Sequence, residues 1–585
     1  MSDVPSRTQT FSGGSRRRPP AARRLATWLD QRTGYSELVK LVADEPIPGG
    51  ARWWYVFGAV LSFLLVLEAT TGVLLAAYYA PSATTAWAST AFIQDTLTLG
   101  WFVRGLHSFG SSAMLVVAGL HLLQVVLFGA YRAPREANWF VGLGMFGLLL
   151  LFALSGYGLP WDERGYWAKQ VETGIIGATP VVGHALQVML QGGASYGNYT
   201  VTRFNALHTY VLPGAIGAAF VLHVFLVKRH GVTPRWGLDE TSLARATVPY
   251  WPFQAARDAA ACGVTFVVLG LIVIRTHGAP LDGPADPSAT YEARPEWYAL
   301  PLYELRRIFE GSVETTATIA LPGLAALLVA ALPWLDGGRS RNPLRRKLVM
   351  GCAALGVGLL AWLGYIPLRQ DARDPSHQRA VAEAAERARF ARDLAQKGVP
   401  PEGGTAVYRN DPAFHARELW AEHCSRCHAF TGRGGKEAPD LKDYDSRRWI
   451  EGFLRNPDGA NYMAGVKIEH RMKPVRGNDD ELRALTELVY AETGAADIDP
   501  LLVEQARPLL ARKDCDACHE LDGVTGSAGP NLRGRGRLAY LVDVIGDAGT
   551  ERLFGKTNQM PRFADKLSPE DIGELARFVL AEARK

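Results

Sequence analysis

Apolar residues form long, nearly uninterrupted blocks over the first 368 positions and give way to charged, water-compatible sequence beyond. Seven blocks are long enough to cross a bilayer as helices, roughly 53–79, 105–131, 139–159, 204–228, 259–276, 316–335 and 347–368, the fifth being the shortest. The stretch 171–190 is also apolar, but Pro180 and several glycines interrupt it, which predicts short helices lying on the membrane surface. A charged helical linker follows the last block, over 369–403. Two similar modules close the chain. Each has a helix leading into Cys-x-x-Cys-His, a Pro-x-Leu loop (Pro439 and Leu441; Pro530 and Leu532), a later methionine beside a proline, and a final helix. The predicted fold is all-α: a seven-helix transmembrane bundle and two small α-helical domains. Its parts are a tail (1–50), a four-span part (51–240), a three-span part (241–368), the linker, and domains at 404–495 and 496–585.

Charge decides orientation more than partners. A net charge of +5 on 585 residues carries no nucleic-acid footprint. The basic residues fall in the tail, in the loop with Arg132 and Arg135, in the loop from Lys228 and Arg229 to Arg245, and in the run from Arg339 to Lys347. Seven spans place all four segments on one side, the cytoplasmic one. The N-terminus is then cytoplasmic and the C-terminal domains lie in the periplasm of a bacterial inner membrane. The first 50 residues contain Arg16, Arg17, Arg18, Arg23 and Arg24 and no apolar core of a signal peptide. Residues 25–42 read either as an amphipathic surface helix or as part of a disordered tail.

Two spans carry paired histidines. His107 and His121 are fourteen positions apart, and His208 and His223 fifteen. At about 100° per residue, each pair lies near one helix face, separated by about 21–22 Å of rise. Two such helices side by side offer two stacked His/His pairs, the ligation of two non-covalent haems b. Gly105, Gly110, Gly119, Gly214 and Gly217 lie among them and would permit close approach of a macrocycle. The bland alternative is four unrelated interior histidines. Outside the spans, Cys424-x-x-Cys427-His428 and Cys515-x-x-Cys518-His519 are c-type haem attachment sequences, with the cysteines tethering and the histidines ligating. The bland alternative here is a zinc or redox dithiol site. Candidate sixth ligands are Met472, with Met463 and His470 as rivals, and Met560. Cys262 and Cys352 lie in apolar spans and read as structural.

On these residues, 28–368 resemble cytochrome b of the quinol-oxidising cytochrome bc complexes. The resemblance rests on Thr71-Gly72, Arg104, the four histidines, Pro134-Arg135-Glu136, Ser155-Gly-Tyr-Gly-Leu-Pro-Trp161, Gly165-Tyr-Trp167, Thr202-Arg-Phe204, Leu207-His-Thr209 and Pro295-Glu-Trp-Tyr298. It is closer to the chloroplast-type branch, with both cytochrome b parts fused, and the tail of the chain resembles a di-haem cytochrome c. The resemblance implies that His107 and His208 hold an outer haem b, and His121 and His223 an inner one. It implies that Arg104 and Arg135 pair with haem propionates, although both also read as ordinary membrane anchors. Pro295, Glu296, Trp297 and Tyr298 would form the outer quinol site with Tyr157, Glu296 accepting a proton, as a carboxylate beside an apolar pocket can. Lys228 and Arg229 would serve an inner quinone site or act only as topology signals. Chloroplast-type relatives attach a further haem through a cysteine whose matching position here is Val56, so none is expected. Glu68 stands where relatives commonly carry glutamine, a mid-span carboxylate with an expected partner.

The function so implied is that of a cytochrome b/c core subunit of a proton-translocating quinol:cytochrome c oxidoreductase. Quinol is oxidised at the outer site; one electron crosses the membrane through two haems b, and the other reaches two haems c. All four paired cysteines are spoken for, so a separate Rieske iron–sulfur subunit is expected as partner. The quinone pool, a soluble cytochrome c or terminal oxidase as acceptor, the lipid bilayer and a second copy in a homodimer complete the expected partners. The alternative is a multihaem conduit linking the quinone pool to a periplasmic redox partner without bifurcation.

Overall fold

The computed structural model describes residues 21–583 apart from 289–290, 292–293, 310, 315, 339, 431–432, 465, 467–470 and 526–527. The chain divides into two compact units, one ending at Val407 and one beginning at Tyr408. His470 and the first twenty residues lie outside the described residues.

Among the described residues of the first unit, six helices are long and apolar enough to cross a membrane: Trp53–Ala76, Gly100–Phe128, Glu136–Tyr157, Asn198–His230, Tyr250–Thr276 and Lys347–Asp371. Their loops sort into two ends. At one end Lys228 pairs with Glu45 at 2.9 Å, Arg135 donates to the His230 carbonyl at 2.7 Å, and Asp336 accepts from Tyr131, Arg132 and Arg346. The Tyr131 hydroxyl and both arginines hold the Asp336 carboxyl below its usual range against the opposing effect of burial. At the other end Tyr79 donates to the Leu159 carbonyl at 2.6 Å, Trp87 donates to the Asp282 carbonyl at 2.8 Å, and Arg294 pairs with Asp371 at 3.1 Å. The linker forms the Pro375–Ala395 helix, which buries Ala388, Ala391 and Leu394 and pairs Arg392 with Asp95 at this second end.

The block expected to span at 316–335 is instead shorter and segmented. A π-helical turn (Thr316–Ala320) leads into Leu321–Ala330 and then Leu332–Leu335. Pro322 and Pro333 each sit at the start of a new segment, because proline lacks the N–H that would continue the preceding helix. Even so, the segments run from Glu314, bonded to Arg306, to Asp336 in the Arg132–Arg346 cluster at the opposite end. The stretch 171–190 gives the short helices Glu163–Gly177 and Gly183–Gln191, and the described part of the tail gives Ala21–Thr33 and Tyr35–Ala43.

The second unit contains the helices Phe414–His423, Arg447–Arg455, Asp479–Ala491, Pro500–Arg512, Leu538–Asp547 and Pro569–Ala583. Its two cores do not follow the two sequence modules. One core packs Leu419 and Cys424 of the first module against Leu541, Ile545, Leu575 and Val579 of the second. The other packs Trp449, Leu454, Leu482 and Leu485 against Ala506 and Leu509. Each opening helix thus lies against the closing helix of the other module.

Candidate haem and quinol sites

The outer histidine pair is assembled from the Gly100–Phe128 and Asn198–His230 helices. The His107 and His208 rings stand 6.2 Å apart between centroids. That gap matches one metal between them, with two imidazole–metal bonds of about 2 Å and half a ring on each side. His208 sits in a π-helical turn, Leu207–Val211, immediately before Pro213. The wider turn accommodates the proline and absorbs one residue, so the fifteen-residue spacing on this helix matches the fourteen-residue spacing on its partner.

Hydroxyls orient both rings. Thr71 Oγ1 donates to the Leu67 carbonyl at 2.7 Å, so it accepts from His107 Nδ1 at 2.9 Å. Ser155 Oγ donates to the Phe152 carbonyl at 3.1 Å and accepts from His208 Nδ1 at 3.0 Å. Placing the proton on Nδ1 leaves each Nε2 lone pair free for a metal. Glu68 Oε2 lies 3.0 Å from His107 Nδ1, while Glu68 Oε1 is buried without a partner. A glycine follows each hydroxyl residue. A Cβ on Gly156 would come within 2.5 Å of the His208 ring, and one on Gly72 within 3.2 Å of His107.

The second pair is His121 and His223, which lie within electrostatic reach of one another. Gly142 closes on His223, with a Cβ there reaching 3.3 Å from its ring. Both Nδ1 atoms are buried, with Gln124 beside the His121 imidazole and the Asn138 backbone beside that of His223. Of the glycines singled out in the sequence, Gly105 and Gly110 abut Val273 and Glu68, whereas Gly119, Gly214 and Gly217 face open space. Of the ring-contacting glycines, Gly72 and Gly156 stand in the sequence motifs, and Gly142 and Gly156 repeat the fourteen-residue spacing of His107 and His121.

Arg104 is buried in a carbonyl cage, not held free for a propionate. Its guanidinium donates to Gln94 at 2.7 Å, to the Ala279 carbonyl at 2.8 Å and to the Pro280 carbonyl at 2.7 Å, fastening the 277–283 loop to its helix. Arg135 is committed to the His230 carbonyl and Lys228 to Glu45, while Arg229 is exposed.

The Arg104 cage and the Asp162–Pro284 bridge carry the loop before Pro295 over the Tyr157–Trp167 segment. Glu296 Oε1 lies 3.8 Å from Arg164 Nη1, and Arg164 also pairs with Asp282 at 3.3 Å. Burial raises the proton affinity of the Glu296 carboxyl, with Arg164 opposing it and Asp162 and Asp282 adding to it. Burial likewise pushes the Tyr298 phenol up. The Tyr157 hydroxyl is buried without a partner among the described residues, and Tyr157 and Tyr298 both feel the Glu296 charge. Trp297 is partly exposed and reaches Ser112 at 3.4 Å. Arg164, Asp162 and Asp282 were not anticipated from the sequence; the Trp-Asp-Glu-Arg run held the signal for the first two, and Asp282 has none of its own.

In the second unit the two attachment turns match. His428 Nδ1 donates to the Pro439 carbonyl at 3.0 Å, and His519 Nδ1 to the Pro530 carbonyl at 2.9 Å. Burial lowers the proton affinity of both imidazoles, which keeps them neutral and able to ligate. Cys424 is buried, its thiol pushed up to about 11, while Cys427 reaches Glu437 at 3.6 Å; Cys515 is half-buried and Cys518 exposed. Met560 and Met472 pack against the two cores, one on each. Met463 lies in the turn near Pro457.

Residues 42–231 match the cytochrome b/b6/petB family and 284–376 the cytochrome b(C-terminal)/b6/petD family. Cytochrome b of Rhodobacter capsulatus is 32% identical over 374 residues, spanning 59% of this chain and 85% of the relative. The chain belongs to the cytochrome b family. Cytochrome b of Cereibacter sphaeroides is also 32% identical, over 58% of this chain and 82% of its own. Cytochrome b/c1 of Bradyrhizobium diazoefficiens is 32% identical over 58% of this chain and 50% of its own. Residues 505–579 match the cbb3-type cytochrome c oxidase subunit III family. A solved chain of a hyperthermophilic respiratory Complex III shares the fold, with a TM-score of 0.51 at 24% identity, over 65% of this chain and 99% of that one. The protein is therefore an integral membrane cytochrome b with a fused cytochrome c region, an electron-transfer subunit with haem b and haem c sites.

Proposed function

We propose that this chain is the cytochrome b and c core of a quinol-oxidising bc-type complex in a bacterial cytoplasmic membrane. It would hold two haems b and two haems c and work in a homodimer with a Rieske iron–sulfur subunit. Haem, when bound, supplies one-electron carriers whose potentials follow their axial ligands. His107 with His208 and His121 with His223 ligate the two membrane haems; His428 and His519 each supply one ligand in the second unit. The observation that carries the quinol reading is the Glu296 cluster. A half-buried carboxyl of raised proton affinity acts electrostatically on the Tyr157 hydroxyl, which has no partner among the described residues, at the same end of the unit as the His107–His208 pair.

Oxidising one quinol releases two protons and two electrons. Glu296 takes a proton from the quinol hydroxyl, and its raised proton affinity drives that transfer. Tyr157 offers its hydroxyl as a hydrogen-bond partner to the quinol oxygen. Arg164, at 3.8 Å, is the counter-charge that lets Glu296 return to its ionised form once the proton leaves. One electron goes to a one-electron acceptor on the outer side, the other to quinone at the cytoplasmic side. Protons leave on the outer side, the side to which the Lys/Arg-rich loops at the opposite end assign the C-terminal unit. Glu296→Gln tests this reading. Quinol-driven reduction of haem c should fall about 100-fold or more, with haem content unchanged. An unimpaired rate would point to the conduit.

A further inference from the structure

The duplicated modules of the second unit are in register at an offset of 91 residues: Cys424 with Cys515, His428 with His519, Pro439 with Pro530, and Leu441 with Leu532. The register extends to the bend that follows. Asp443 and Asp445 have φ of 56° and 58°, and their counterparts Gly534 and Gly536 have φ of 71° and 75°. Left-handed backbone at two non-glycine positions is costly, and it recurs here at the same places in both modules. At this bend each chain segment leaves the core that holds its own attachment turn. Tyr444 touches both cores, and the buried ion pair Asp445–Arg535, at 2.8 Å, ties one crossing strand to the other.

The methionine loops follow the crossed helices. Met560 packs into the core that contains Leu419 and Cys424. Phe563, three residues on, lies 6.0 Å between ring centroids from His423, the residue before Cys424. At the helix ends, His415 bonds Asp571 at 2.7 Å. Met472 packs into the other core, with Leu509 and Leu510, directly ahead of Cys515. Lys513 donates to the Arg476 carbonyl at 2.7 Å and pairs with Glu481 at 2.8 Å, pinning the loop after Met472 two residues from Cys515.

We infer that the sixth ligands are exchanged between modules: Met560 faces the iron held by His428, and Met472 the iron held by His519. The inference rests on the haem c reading of the two attachment turns. Each module then supplies the histidine of one haem and the methionine of the other, so neither half makes a complete site. The two haems c are one folding unit, and loss of either closing helix opens the haem tethered in the opposite module.

The test uses the full-length, detergent-solubilised protein. In a Cys424→Ala/Cys427→Ala background the single remaining haem c is on Cys515 and Cys518. Adding Met472→Ala should abolish the methionine–iron charge-transfer band of the ferric haem c and let the ferrous haem bind carbon monoxide. Adding Met560→Ala should change neither. The opposite pattern would overturn the exchange. The reciprocal background, Cys515→Ala/Cys518→Ala, should reverse the roles of the two methionines. A second measurement keeps both haems. Met560→Ala alone, treated with peroxide, should lose haem from the peptide containing Cys424–His428 on mass mapping; loss from the Cys515–His519 peptide would contradict the exchange. Absence of covalent haem from both peptides of the unmodified protein would instead remove the haem c reading beneath it.

Discussion

The two units solve one problem, presenting a neutral imidazole to a metal, in opposite ways. In the second unit the histidine is local: it follows two cysteines, and a proline carbonyl eleven residues on fixes its tautomer. In the membrane unit each pair joins helices about one hundred residues apart, and at the outer pair hydroxyls from neighbouring spans, Thr71 and Ser155, do the fixing. The first arrangement would survive a change of one ligand, because thioethers to the paired cysteines would keep a haem in place. The second depends on every contact around the ring. The difference teaches that tolerance to substitution should diverge sharply between the units.

The largest effect expected is on haem retention. His208→Ala should halve the haem b content, whereas His519→Ala should leave its haem attached through Cys515 and Cys518; pyridine haemochrome analysis of both variants would break the comparison if they behaved alike. Next comes Gly156→Val. Its branched side chain has no room beside the His208 ring, where even a Cβ would come within 2.5 Å. The outer haem b should be lost or high-spin, with the c-type spectrum unchanged. A smaller effect is expected of Thr71→Val, which removes the acceptor on His107 Nδ1 and should weaken outer haem b binding about 10-fold, measured by haem extraction. Glu68→Gln sharpens the comparison further. Removing a carboxylate from the same nitrogen makes the imidazole a weaker donor and should raise the midpoint potential of the outer haem b alone.

Much of this was legible in the sequence, for physical reasons that differ by residue. The fourteen- and fifteen-residue histidine spacings follow from helix geometry, and the attachment pentapeptides carry their chemistry locally. Pro295–Tyr298 and Tyr157 were placed together by resemblance, and the structure brings them to the same end. The rest depends on partners distant in sequence. Arg104 has a charge that suits a propionate, yet three carbonyl and amide oxygens satisfy it. The segmented 316–335 block is apolar throughout, so its composition conceals what Pro322 and Pro333 do to its continuity. The crossing in the second unit is invisible to periodicity, because an amphipathic helix such as Pro500–Arg512 is satisfied equally by either closing helix. Only the left-handed bend at Asp443 and Asp445 marks it, and backbone sign is not written in aspartate.

The smallest of the expected effects is on pH dependence. Burial raises the proton affinity of Glu296, so its folded-state pKa lies above the ordinary carboxylate value. The form that accepts a proton therefore predominates only above that raised value. Quinol-driven haem c reduction should rise with pH through a window above the usual carboxylate range and then level off. Glu296→Gln should flatten that limb, and an unchanged profile in the variant would assign the titration to another group.

The most direct test of the account is an oxidant pulse given to native membranes that hold excess quinol, with haems b and c followed at separate wavelengths. Bifurcated oxidation at Glu296 predicts that haem c becomes oxidised while haem b becomes more reduced, because each quinol electron drawn outward sends its partner inward. Simultaneous oxidation of haem b and haem c would contradict the account and leave the chain a simple conduit.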